Sequence, residues 1–153
     1  MTSSYNDIYS RFLNKIRDYE FAGLPEPSAT NQMKEWLQSS LSHTYIYRIF
    51  DTFSADDEIA EIEYTLKSSV DDYHDKNFVE ELLSSQMVYE WISPKVKTTT
   101  LLNHMMTNSK EEKFYSQSSH LGQVKEIEDD AYNKVRALLS DKGYIYNPYL
   151  GNV

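Results

Sequence analysis

Seven apolar residues, Phe114, Leu121, Val124, Ile127, Ala131, Val135 and Leu138, recur at intervals of seven, three, three, four, four and three. Those intervals bring each side chain back to one face of an α-helix and to no face of a strand. This is the longest pattern in the chain, and it predicts a long C-terminal helix. Lys142 and Gly143 close the pattern: lysine suits the carbonyl end of a helix, and glycine suits the left-handed residue after it.

The N-terminal half supplies further helices. Ser4 and Asp7 form a capping-box-like start, and Tyr5, Ile8, Tyr9, Phe12, Ile16 and Tyr19 follow at helical spacing, predicting a first helix that ends near Gly23. Pro25 and Pro27 forbid its continuation, because proline lacks an amide donor and biases its predecessor towards extended geometry. Ser28 or Thr30 is placed to cap a second, long helix with Met33, Trp36, Leu37, Leu41, Tyr45 and Ile49 on one face. Charges then alternate with Ile62, Tyr64 and Leu66, which marks a small strand or hairpin. Asp75 or Asn77 is placed to cap a third helix whose stripe is Phe78, Leu82, Leu83, Met87, Val88, Trp91 and Ile92, with Pro94 as its stop or kink and a short helical piece from Leu101 to Met106 beyond it.

The expected architecture is therefore a mainly α helical bundle with one long C-terminal helix and a small β strand or hairpin between helices two and three. It forms a single domain over residues 1–143, followed by a tyrosine-rich tail over 144–153. The candidate core consists of Phe12, Ile16, Trp36, Leu41, Met87, Trp91, Leu121, Val124, Val135 and Leu138.

Chemistry is poorly signalled. His43, His74, His104 and His120 fall on different expected elements without metal-ligand spacing. Four glycines leave little material for a phosphate cradle, and there is no nucleophile elbow. Asp56, Asp57 and Glu58 are consecutive carboxylates, but they lack the alternating oxygen ligands and glycine turn of a calcium loop. No pair of acids stands out for catalysis. The expectation is a protein with no active site, cofactor or metal. A formal charge of −9 disfavours binding to a phosphate backbone or an anionic membrane, and no apolar run is long enough to span a bilayer.

Thirteen tyrosines point instead to contact surfaces, since each ring has an apolar body and a polar tip. The candidate interface residues are Tyr115, His120, Tyr144, Tyr146, Tyr149 and Leu150, the last four in the tail.

Three strings, "YNDIYSRFLNKIRDYEF", "MVYEWISPKV" and "KFYSQSSHL", stand in this order along the chain. On them the chain resembles the neck or head-to-tail connector proteins (head-completion, adaptor proteins) of tailed bacteriophages, over Tyr5 to Leu139. The resemblance implies a subunit of a homo-oligomeric ring, a dodecamer, seated between the portal protein and the tail or tail-terminator protein. Genomic DNA would pass through its lumen without sequence-specific binding. The location implied is the virion neck, with the host cytoplasm during assembly. The alternative expectation is a small acidic helical phage or prophage protein that binds and regulates a host protein. Either way Trp91 is expected in the core, so Trp91→Ala should lose about 3 kcal/mol or more in a denaturant titration, as a folding defect.

Overall fold

The computed structural model describes residues 1–105 and 111–143. The chain is mainly α, with a small three-stranded sheet. In chain order it runs β1 (Thr2–Ser4), α1 (Tyr5–Leu13), α2 (Tyr19–Ala22), α3 (Glu26–Ser42), α4 (Thr44–Tyr47), β2 (Phe50–Asp56), β3 (Glu61–Leu66), α5 (Asp72–Met105) and α6 (Glu111–Asp141).

α5 is the trunk. Between Phe78 and Ile92 most of its residues are buried, including Val79, Leu82, Leu83, Met87, Val88 and Trp91, so its apolar surface extends well beyond one stripe. A helix apolar on all sides must be surrounded. α1 and α3 pack on it, the sheet closes over its first turns, and α6 lies along it. Its 34 residues span about 51 Å at 1.5 Å per residue. Pro94 does not stop the helix, and the chain is not redirected there: Leu101 to Met105 continue α5. Proline removes one ladder donor and crowds the preceding turn. Trp91 and Ile92 before it and Val96 after it are all buried, and that burial holds the helix continuous through the defect.

α6 runs antiparallel to α5, as four cross-contacts show. Asp75 meets Lys142 at 2.7 Å, Glu81 meets Lys134 at 3.9 Å, the Tyr89 and Tyr132 rings lie 6.1 Å apart, and Ser93 donates to Glu128 at 2.6 Å. The α6 seam is Val124, Ala131, Val135 and Leu139, while Leu121 and Leu138 are only partly buried and Ile127 is 41% exposed. The seam is thus rotated by a fraction of a turn from the expected stripe, towards α5, the long element that covers it. Gly143 closes α6 with φ +77°, as its sequence position implies.

Two expected helices are shorter than their periodicity. The first ends at Leu13 instead of near Gly23, and Tyr19 is 92% exposed. The chain leaves the helix so that Asp18 can turn inward, where it accepts from the Phe21 amide at the start of α2. The second ends at Ser42, and the extended residue His43 separates it from α4. Its start is Glu26 rather than a cap at Ser28 or Thr30, because Pro27 is tolerated in a first turn whose amides have no helical acceptor.

The hairpin forms as expected from the alternation, with β2 and β3 antiparallel. Ile62, Tyr64 and Leu66 point inward, together with Phe50. Asp56 accepts from the amides of Glu58 and Ile59 in the turn, and Ala60 takes φ +55°. β1 was not legible: three polar residues pair with the far side of β3, and buried Ser3 bonds the Tyr64 hydroxyl at 3.0 Å. At the start of α5 the capping role falls to Asp71, which accepts from the His74 amide. Asp75 turns into the protein instead.

That carboxylate is fully buried and is met by Lys142 from the end of α6, by the Ser69 hydroxyl and by the Val70 amide. Burial would raise its pKa, but these donors outweigh burial and lower it. Removing one partner of a buried pair strands the other charge. Lys142→Met should therefore cost about 3–5 kcal/mol in urea unfolding, and adding Asp75→Asn in the same chain should recover much of the loss.

Candidate interaction surface

Among the described residues no three His, Cys, Asp or Glu side chains converge as a metal site. The polar side chains of the interior serve instead as anchors, and they fix two surfaces.

The first surface is aromatic and crosses α4, α5 and α6. Beneath it Glu90 of α5 accepts from Ser39 at 2.9 Å and from Gln86 at 2.9 Å, and bonds the His43 ring at 2.5 Å. Gln86 accepts in turn from the Tyr45 hydroxyl at 3.1 Å. The His43 and Tyr45 rings stack with centroids 5.0 Å apart. Burial, with Glu90, Tyr89 and Tyr132 nearby, raises the Tyr45 pKa despite the bond to Gln86, so its hydroxyl stays a donor. Alongside, Tyr89 meets Tyr132, and Arg136 lies over the Tyr132 ring at 5.6 Å while donating to its hydroxyl. Tyr45 and Tyr132 remain 39% and 44% exposed. Rings held in fixed positions with one face open lose little side-chain entropy when a partner covers them.

The second surface is a pair of open grooves around α2. One, of about 600 Å³, is lined by Leu13, Ile16, Phe21, Leu24, Ala29 and Met33 among others. Its neighbour, of about 430 Å³, lies between Trp36, Trp91, Pro94 and Lys95. Phe12 and Phe21 each pack on the Trp36 ring at 5.4 Å, so Trp36 is partly buried and forms a wall rather than the centre of the core. Asp18 stands between the grooves and accepts from Trp91 Nε1 at 2.8 Å and Lys95 Nζ at 2.7 Å. Burial pushes its pKa up, yet the bonds from Lys95, the Phe21 amide and Trp91 prevail and bring it down to about 2. A carboxylate held ionised so firmly is an anchor and not a general acid.

Of the expected core, Phe12, Met87, Trp91, Val124 and Val135 are buried. Ile16, Trp36, Leu41, Leu121 and Leu138 pack against it while partly exposed. Of the expected interface, His120 is exposed on α6. The side chain of Tyr115 and the tail residues Tyr144, Tyr146, Tyr149 and Leu150 lie outside the described residues. The structure brings together a different aromatic set, Tyr45, Tyr89 and Tyr132, which sequence reasoning did not assemble. The only local signals were the four-residue intervals Gln86 to Glu90 on α5 and Tyr132 to Arg136 on α6. Likewise Trp91 and Lys95, one turn apart, present two donors to a single acceptor, but nothing local identifies Asp18 as that acceptor.

No family model, curated protein or solved structure matches the chain.

The Asp18 anchor gives a pH prediction. Its folded pKa of about 2 lies below the ordinary value of 3.8, so its contribution is complete above the ordinary value and is lost as pH falls through about 2. Asp18→Asn should lower stability near neutrality by about 1.5–3 kcal/mol, the worth of hydrogen bonds to a charged group. The variant and the parent should converge in denaturation midpoint between pH 4 and pH 2.

Proposed function

We propose that this chain is a structural subunit of a tailed-phage head-to-tail connector ring, joining the portal to the tail and extending the DNA channel. The observation that carries the reading is the pairing of two unlike contact surfaces on one rigid trunk: an anchored aromatic patch over α4, α5 and α6, and apolar grooves around α2. A closed ring is built from heterologous contacts, in which one patch of each copy meets a different patch of the next. The ordered strings that resemble connector proteins support the same reading. So does the charge: a wall of net charge −9 repels phosphate and lets DNA slide.

In this proposal the protein performs no covalent chemistry. Its partners are its own copies in a twelve-membered ring, the portal protein, the tail or tail-terminator protein and the passing genome. It works in the virion neck after assembly in the host cytoplasm.

Deleting the coding sequence from the phage genome that carries it should give DNA-filled heads and unattached tails, counted by electron microscopy. Complementation with Tyr132→Ala should leave helix content unchanged, weaken each subunit contact about tenfold, a loss of about 1.4 kcal/mol per contact, and lower the count of joined particles. Normal infectious particles from the deletion would refute the proposal. A monomer that captures a host protein and is absent from particles would favour a regulatory role instead.

A further inference from the structure

Among the described residues the three-stranded sheet has order β1-β3-β2, which leaves β2 with one unpaired edge. β2 is seven residues long, whereas the opposite edge strand β1 has three. After the irregularity between Phe50 and Thr52, β2 runs in regular register from Thr52 to Asp56. It contains no proline and no lysine, the residues that most often blunt an edge. Its backbone donors and acceptors along that edge form a template for one more strand.

The outward face of the sheet has a consistent chemistry. Thr52 faces Thr65, Ser54 faces Glu63 and Asp56 faces Glu61, with Thr2 and Ser4 of β1 on the other side of β3. Every one of these side chains is a hydroxyl or a carboxylate. From Phe50 to Leu66 there are six acids and no Lys or Arg. Only part of that charge serves the fold: Asp57 accepts from the Tyr5 hydroxyl at 2.7 Å and pairs with Lys34 at 3.1 Å, and Asp56 caps the turn. Glu61 and Glu63 are exposed, and Asp56 and Glu61 stand directly opposite each other, an arrangement that destabilises a hairpin by itself. A concavity of about 250 Å³ on this sheet is lined by Thr52, Phe53, Ser54, Glu63 and Thr65, among others. On the outward face it sets the Glu63 carboxylate among the Thr52, Ser54 and Thr65 hydroxyl side chains, a polar site for the head of one long cationic side chain.

We propose that β2 and the outer sheet face dock an extended, lysine- or arginine-bearing segment of a partner protein, which adds to the sheet as a fourth strand beside β2. Charge complementarity selects this occupant. A second copy pairing edge to edge through β2 would bring Asp51 and Asp56 of both chains together, and nucleic acid would be repelled. A single metal ion would need converging ligands, which the described residues do not provide. The inference is independent of the connector reading, since any partner with a basic extended segment satisfies it.

The test uses the full chain and three synthetic heptapeptides: one alternating lysine with valine, one alternating glutamate with valine, and the lysine peptide with proline at every valine. Binding is read by fluorescence anisotropy, and the site by amide hydrogen exchange. The lysine–valine peptide should bind, weaken with added salt and slow exchange at β2 amides between Thr52 and Asp56. Glu61→Gln combined with Glu63→Gln should weaken it at least tenfold with an unchanged circular dichroism spectrum. Absence of binding at low salt would overturn the proposal. So would equal binding of the proline peptide, which would show charge adhesion without strand addition. Binding unaffected by the double variant, or slowed β2 exchange with magnesium alone or with protein concentration alone, would overturn it as well.

Discussion

The burial of α5 on nearly every side is the constraint on which the rest of the structure depends. A helix that hides Val79, Leu82, Leu83, Met87 and Ile92 from water keeps only a narrow, partly exposed strip through Glu81 and Tyr89 along that length. α1, α3 and α6 each make their main contact with it, and the sheet is joined to it through β1, which α1 holds as well. Their lengths follow from what is needed to cover the trunk. The burial also carries the helix through Pro94, which local propensity alone would treat as a terminus.

Covering the trunk leaves a problem of register, and carboxylates solve it. Apolar surfaces slide, whereas a buried charge with directed donors does not. Asp75 pins the end of α6 to the start of α5, and Glu90 pins α3 and His43 to its middle. Asp18 pins α2 to Trp91 and Lys95, and Glu80, nearly fully buried, receives Arg11 from α1 at 3.1 Å. Each is answered by a donor from an element distant in sequence. The acids of the interior are therefore structural fasteners, and the acids that remain outside give the surface its sign. This division explains how an acidic chain presents anchored aromatic patches and an acidic sheet without assembling a set of convergent ligands among its described residues.

Much of this was legible in the sequence. The long C-terminal helix, the apolar run of α5, the hairpin and the Gly143 cap are local patterns, and periodicity or a single residue type reveals them. Failures occurred where a distant partner overrode a local preference. Ile16 and Tyr19 continue the period of α1, but the pull of Trp91 and Lys95 on Asp18 ends that helix early. Tyr45 continues the period of α3, but the bond between His43 and Glu90 breaks it. β1 is too short to show an alternation. The aromatic patch joins residues from three elements up to 87 positions apart, Tyr45 to Tyr132, and only the tertiary structure brings them side by side.

The trunk is tested most directly by native-state hydrogen exchange followed residue by residue under increasing denaturant. Amides from Val79 to Ile92 should be the slowest in the protein, exchanging only through global unfolding, while those of α6, β2 and α1 open earlier with smaller free energies. If the middle of α5 exchanges as fast as α1 or α6, or opens while those elements stay protected, the fold is not organised around α5, and the surfaces built on it lose their frame.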